Sequence, residues 1–186
     1  MFRGGATYDI GIYVIQLATM VFRGAPLKVS ASGVVNEQGN DIAASITLQY
    51  PDGGHASLLI DTRAGSPKTS SARVFFFTGG EFISVHICGP FWCPDRLELT
   101  RVNGEVVVEE YPQFPNADKS DGLNFNYNNS QALAFEANAF TDKFEEWKQS
   151  KSTGPVIVEH PLRSHKDTLI DASIIDQVMA QIKAAN

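Results

Sequence analysis

The sequence predicts an α+β domain, a large open and mostly antiparallel sheet with helices packed on one of its faces. Three observations predict it. Alternating apolar and polar residues fill the middle third of the chain. The connections between those stretches are short, which makes sequential strands antiparallel neighbours. Apolar stripes at helical spacing stand only before and after that run, so strands and helices are segregated along the chain. The 186 residues fit one domain, residues 1–186, long enough to bury a core.

The first element is read as a helix because Ile10, Val14, Leu17 and Val21 share one apolar stripe. Asp9, Tyr13, Gln16 and Met20 share a different face, and Gly24 and Pro26 end the helix. Strands follow. Ile42, Ala44, Ile46, Leu48 and Tyr50 alternate with Ala43, Ser45, Thr47 and Gln49, the period of two that one buried face requires. Ala56, Leu58 and Ile60 repeat it after the turn Pro51-Asp52-Gly53-Gly54. Phe75 and Phe77 lead into Gly79-Gly80, with Ile83, Val85 and Ile87 beyond. Leu97 and Leu99 then connect through Asn103-Gly104, a pair suited to a hairpin turn, to Val106 and Val108. Residues 111–129 form a long polar loop, and loops of that length usually carry function or lack order. Leu133, Ala137, Phe140, Phe144 and Trp147 mark one face of the next helix, broken over Ser150 to Pro155. Leu169, Ala172, Ile175, Met179 and Ile182 mark the last. The sheet face that these helices leave open must meet water or another protein surface.

Composition excludes several functions. With 15 basic and 21 acidic side chains, a net charge of -6 and no basic run, the chain has no surface that could track phosphates, so nucleic acid is not expected as a partner. The apolar stretch Ile10 to Phe22 is too short and too polar to span a membrane. It precedes no small-residue cleavage site, so a cytoplasmic protein is expected. Cys88 and Cys93 make neither a disulfide framework nor the paired spacing of a zinc site, and are read as reduced thiols. His55, His86, His160 and His165 are scattered, and the acidic pairs Glu109-Glu110 and Glu145-Glu146 are read as solvated surface. No metal site is expected. The chain contains no glycine-rich dinucleotide fingerprint, no phosphate loop and no nucleophile elbow.

One constellation carries possible chemistry. Gly4-Gly5 leads into Asp9-Ile10-Gly11-Ile12-Tyr13, and a spacing of four puts Asp9 and Tyr13 on one helix face. A carboxylate in a first helical turn is favoured by the helix dipole. A tyrosine hydroxyl beside it could pass a proton to or from a substrate alcohol, although a tyrosine ordinarily ionises near pH ~10 and needs a neighbouring cation to act as a base. The spacing alone fits an ordinary capping aspartate and a packed tyrosine equally well.

That segment resembles the entry to the carboxyl-terminal domain of the Gfo/Idh/MocA oxidoreductases, and within them the branch acting on trans-dihydrodiols and D-xylose. Three more stretches agree in order and spacing: Leu48-Gln49-Tyr50-Pro51, Trp92-Cys93-Pro94, and Phe125-Asn126-Tyr127-Asn128-Asn129 running to Phe135-Glu136-Ala137. Gly154-Pro155-Val156 and the helix after it match as well. The resemblance implies an oxidoreductase using NADP, bound by an amino-terminal Rossmann domain that these residues do not include, and acting on a small-molecule sugar or diol. It implies Tyr13 as the proton-transfer residue, Asp9 as an orienting group, Trp92 and Phe125 beside the substrate, and a homodimer paired through the open sheet face. Cofactor-contacting residues within this chain stay unassigned. The family's Glu-Lys-Pro motif is missing here, Thr7-Tyr8 replaces a usually more aliphatic pair, and Val34-Val35 stands where some relatives carry basic residues. A standalone, non-catalytic sheet domain that pairs with full-length subunits or binds a small molecule is the alternative.

Overall fold

The computed structural model describes residues 4–64, 70–76, 80–111, 133–150, 159 and 163–185. In chain order the elements are α1 (Ile12–Phe22), β1 (Lys28–Val35), β2 (Asp41–Gln49), β3 (His55–Asp61), β4 (Ala72–Phe75), β5 (Phe82–Ile87), β6 (Arg96–Arg101), β7 (Val106–Glu110), α2 (Leu133–Gln149) and α3 (His165–Ala185). The fold is α+β with antiparallel strands, as the alternation requires. The strands pair as two ladders, β1-β2-β3 and β4-β5-β6-β7. The described residues fall into two compact units, Met1–Gly65 with Glu159–Asn186, and Ser66–Val158.

In the first unit the period-two pattern of β2 places Ala44, Ile46, Leu48 and Tyr50 in the core, with Ala56 and Ile60 of β3 beside them. The opposite face keeps Ser32, Ser45, Gln49, Ser57 and Leu59 exposed. Ile174, Ile175, Val178, Met179 and Ile182 of α3 cover the apolar face together with Ile15 and Ala18 of α1. Each fully buried Ile, Leu or Val contributes about 1.5–3 kcal/mol of transfer free energy. Gly33 makes the close approach of α3 possible. A Cβ there would stand 2.7 Å from the Ala43 carbonyl oxygen and 2.8 Å from Ile182 Cδ1.

Two helical stripes differ from expectation. In α1 the buried positions are Ile15, Ala18 and Thr19, whereas Leu17 and Val21 are only half-buried. In α3 Leu169 and Ala172 are exposed, and Asp171 is buried in their stead. One network explains both shifts. The Thr19 hydroxyl donates to Asp171 Oδ1 at 2.7 Å, Arg163 Nη1 donates to Thr19 Oγ1 at 3.0 Å, and Arg163 pairs with the other Asp171 oxygen. A buried carboxylate is tolerated when paired and hydrogen-bonded. Hydrophobic periodicity has no way to register it.

In the second unit β6 and β7 form the expected hairpin, with Gly104 at φ 86° and the Arg101 amide bonded to the Glu105 carbonyl at 2.8 Å. On β5 the buried residue is Ser84, while Ile83 is exposed. Helix α2 buries none of its residues, and Leu133, Phe140 and Phe144 are exposed. Its aromatic face is held together by its own contacts, Phe140 on Phe144 at 6.5 Å and Phe144 on Trp147 at 5.4 Å. The long polar loop expected over residues 111–129 lies, apart from Tyr111, outside the described residues.

Candidate functional site

The segment carrying Asp9 and Tyr13 enters its helix through a π-helical turn, Thr7–Gly11, that runs directly into α1. Helix starts leave amide groups without intrahelical partners. No local side chain caps this one. Asp41, at the first position of β2, does so from across the sheet. Its Oδ2 accepts from the Thr7 amide and from the Thr7 hydroxyl, each at 2.7 Å, and both residues are fully buried. A carboxylate at a helix start is also favoured by the dipole.

Gly5 fits this arrangement tightly. Its φ of 154° disfavours a side chain, and a Cβ there would fall 2.0 Å from Asp41 Oδ1. The Asp9 amide closes the turn by donating to the Gly5 carbonyl at 3.1 Å. The sequence therefore spends a glycine, a threonine and a buried aspartate on fixing where Asp9 begins.

Asp9 and Tyr13 are both exposed, on the same face of the π turn and α1 as exposed Gln16 and Met20. Beside them lies an open cavity of about 530 Å³, lined by Gly4, Gly5, Asp9, Asn36, Asn40 and Asp41 among others. Tyr13 is not in its wall. Asn36 shapes one rim, its Oδ1 accepting from the Gln38 and Asn40 amides at 3.1 and 2.9 Å. Asp41 Oδ1 is buried without a hydrogen-bond partner.

The charged side chains in this wall, Asp9 and Asp41, are both acidic. Asp9 is exposed there, whereas Asp41 is fully buried and turned to Thr7, so the wall offers one solvent-facing carboxylate and, among the described lining residues, no Lys or Arg to meet a pyrophosphate. The residues around this cavity thus do not fit NAD(P).

Of the other expected site residues, one falls in the second unit and one outside the described residues. Trp92 belongs to the second unit, in the turn from β5 to β6, where it is 45% exposed and edge-on to Phe91 at 5.5 Å. That turn contains a cis Gly89-Pro90 bond and is closed by the Cys93 amide on the Pro90 carbonyl at 3.0 Å. Burial, and then the nearby Asp95, push the Cys93 thiol pKa up, away from a reactive thiolate. Phe125 lies outside the described residues.

Sequence reasoning missed Asp41, and missed the reason for Thr7, which stood out only as a departure from an aliphatic pattern. The available signal was weak: a lone aspartate opening an apolar strand just after the turn Asn36 to Asn40.

Comparison with known proteins bears on this geometry. Residues 1–83 match the family described as GFO/IDH/MocA C-terminal domain. Trans-1,2-dihydrobenzene-1,2-diol dehydrogenase of Oryctolagus cuniculus is 34% identical over 140 residues, covering 75% of this chain and 38% of that protein. The Sus scrofa protein of the same name is 28% identical over 183 residues, covering 98% and 46%. The chain thus spans less than half the length of these relatives. Among solved structures, an NAD binding oxidoreductase from Klebsiella pneumoniae superposes with a TM-score of 0.67 at 15% identity, covering 98% of this chain and 50% of that one. That likeness concerns the fold.

Proposed function

We infer, for a chain that is a carboxyl-terminal domain of the Gfo/Idh/MocA oxidoreductases, that it forms the substrate-facing part of an NAD(P)-dependent dehydrogenase acting on a sugar or a trans-dihydrodiol. The observation that carries this reading is the anchored start of the helix bearing Asp9 and Tyr13, which presents the exposed Asp9 carboxylate to an open cavity. The named activity of the relatives supports the substrate class.

In this reading the redox chemistry belongs to the nicotinamide, and the protein supplies orientation and proton handling. The Tyr13 hydroxyl exchanges a proton with the substrate oxygen at the carbon being oxidised or reduced. Asp9 accepts a hydrogen bond from a neighbouring hydroxyl and so fixes which carbon faces the cofactor. Trp92 and Phe125 are proposed to border the substrate, and NADP to be the cofactor. We propose that the exposed face of β1-β2-β3 pairs with a second copy; Leu59 at 78% and Val34 at 48% exposure are the apolar side chains on that face that support it. Sedimentation velocity on the wild type and on Leu59→Asp tests that pairing, which a wild-type monomer would exclude.

The test is ligand binding to the 186-residue chain. Saturation-transfer NMR should detect D-xylose or a trans-1,2-diol, with Asp9→Asn weakening the signal, while calorimetry with NADPH should show no binding. Micromolar NADPH binding would contradict the assignment of this chain to the substrate side. No polyol signal, or one indifferent to Asp9→Asn, would favour a non-catalytic domain.

A further inference from the structure

The second unit brings together three side chains that sequence spacing gives no reason to group. His86 ends the polar face of β5, and Cys88 follows two residues later, so alternation directs both toward the same side. The antiparallel register sets Glu98 of β6 directly opposite His86. Cross-strand partners of this kind have Cβ atoms about 4.5–5.5 Å apart, within reach of a shared ligand.

The side chains close the remaining distance. His86 Nδ1 lies 3.2 Å from Glu98 Oε2 and 3.9 Å from Cys88 Sγ. One ligand atom from each residue falls within 4.8 Å of the others. A tetrahedral zinc ion with Zn–N of about 2.0 Å, Zn–O of about 2.1 Å and Zn–S of about 2.3 Å sets edges of about 3.4 Å for N···O and about 3.5 Å for N···S. The two separations in the structure, 3.2 and 3.9 Å, stand within about 0.4 Å of those values.

The neighbouring groups orient the carboxylate while leaving one of its oxygens toward His86. Arg96 Nη2 donates to Glu98 Oε1 at 2.9 Å, the oxygen not turned toward His86, which orients the carboxylate as second-sphere partners do in metal sites. All three side chains are partly buried, as a site with an open position requires. Arg73, the other cross-strand partner of His86, is exposed, so water screens its charge.

We propose that His86, Cys88 and Glu98 form a divalent-metal site for zinc or an ion of similar softness, with three protein ligands and a fourth position open to water or a small anion. The mix of imidazole, thiolate and carboxylate selects a borderline-soft ion over magnesium or calcium. Binding converts the Cys88 thiol to a thiolate, and the displaced proton passes to solvent.

Cobalt(II) and zinc(II) titrations of the full chain test this. Cobalt should bind one equivalent per chain and give a thiolate-to-cobalt absorption band in the near ultraviolet, which zinc then displaces. Cys88→Ser should abolish the band, and His86→Ala should lower affinity by at least about tenfold, the loss seen even for second-sphere partners. Cys93→Ser should change neither. Protection from alkylation, read by mass spectrometry on the unmutated chain, gives an answer that does not depend on variants folding: zinc should shield Cys88 and leave Cys93 at its zinc-free rate. A band that survives Cys88→Ser, no saturable binding in the micromolar range, or equal zinc protection of both cysteines would overturn the proposal.

Discussion

Replacing Thr7 with valine removes one hydroxyl from the anchor beneath the candidate site and leaves its volume nearly unchanged. Asp41 Oδ2 accepts two hydrogen bonds of 2.7 Å, both from Thr7, and its other oxygen has no partner. The substitution therefore leaves a fully buried carboxylate with a single donor. Hydrogen bonds to charged groups contribute about 1.5–3 kcal/mol, and the Thr7 amide bond that remains keeps the loss below the upper end of that range. We take about 2 kcal/mol as the expected loss. With a urea m-value of about 2 kcal/mol/M, the unfolding midpoint should fall by about 1 M. Far-UV circular dichroism reads the midpoint, and amide exchange over residues 5–13 should rise in the same variant. Thr7→Ser keeps the hydroxyl and should restore most of the loss. A midpoint within about 0.2 M of wild type, on that same m-value scale, would refute the anchoring role of Asp41.

Two further perturbations have definite expected outcomes. Asp171→Ala strands Arg163 in a largely buried position and should cost about 3 kcal/mol, the low end for breaking a buried pair because Arg163 keeps some solvent contact; urea unfolding checks it, and a cost below that of Thr19→Val would contradict the network. Tyr50 is buried with an unbonded hydroxyl, stacks on Phe22 at 4.3 Å, and has its pKa pushed up to about 12 by burial. Its folded pKa lies above the unfolded one, so this contribution to stability is complete below pH ~10 and is lost as pH rises from there toward 12. Ultraviolet titration should show a phenolate step near pH 12 that is lost in Tyr50→Phe, while Tyr111, raised by its hydrogen bond to Glu109, still titrates late, and Tyr50→Phe should be no less stable than wild type at pH 7 because it removes an unpaired buried hydroxyl. A late step of undiminished amplitude in Tyr50→Phe would refute the assignment to Tyr50.

Much of this fold was legible from alternation. The buried run Ala44, Ile46, Leu48 and Tyr50, the partner strand Ala56 to Ile60, and the Asn103-Gly104 hairpin all follow from periods and turn residues. Which face of β5 is covered was not legible, because a period of two names two faces without choosing between them. Ser84 is buried there and Ile83 is exposed. The helix faces failed where polar residues do core work: Thr19 and Asp171 sit at buried positions that an apolar stripe passes over. Asp9 and Tyr13 share an exposed face as their spacing requires. Asp41 lies 34 positions from Thr7, and their bond depends on a strand crossing that local pattern does not reveal. The same holds for His86 and Glu98, neighbours only through the register of β5 and β6. The described part of α2 shows the converse, since its stripe of Phe140, Phe144 and Trp147 is periodic yet none of it is buried. No described helix is long and apolar enough to cross a membrane.

The central claim is that this chain supplies the proton-handling side of a dehydrogenase through Tyr13. The most direct measurement fuses the chain to the part of the Sus scrofa dehydrogenase that it does not cover, and follows NADP⁺ reduction with D-xylose and with a trans-dihydrodiol. The account predicts measurable turnover with at least one of them, a kcat about 10²–10⁴-fold lower in Tyr13→Phe, and a raised KM in Asp9→Asn. A fusion that turns over equally well with phenylalanine at position 13 would contradict it.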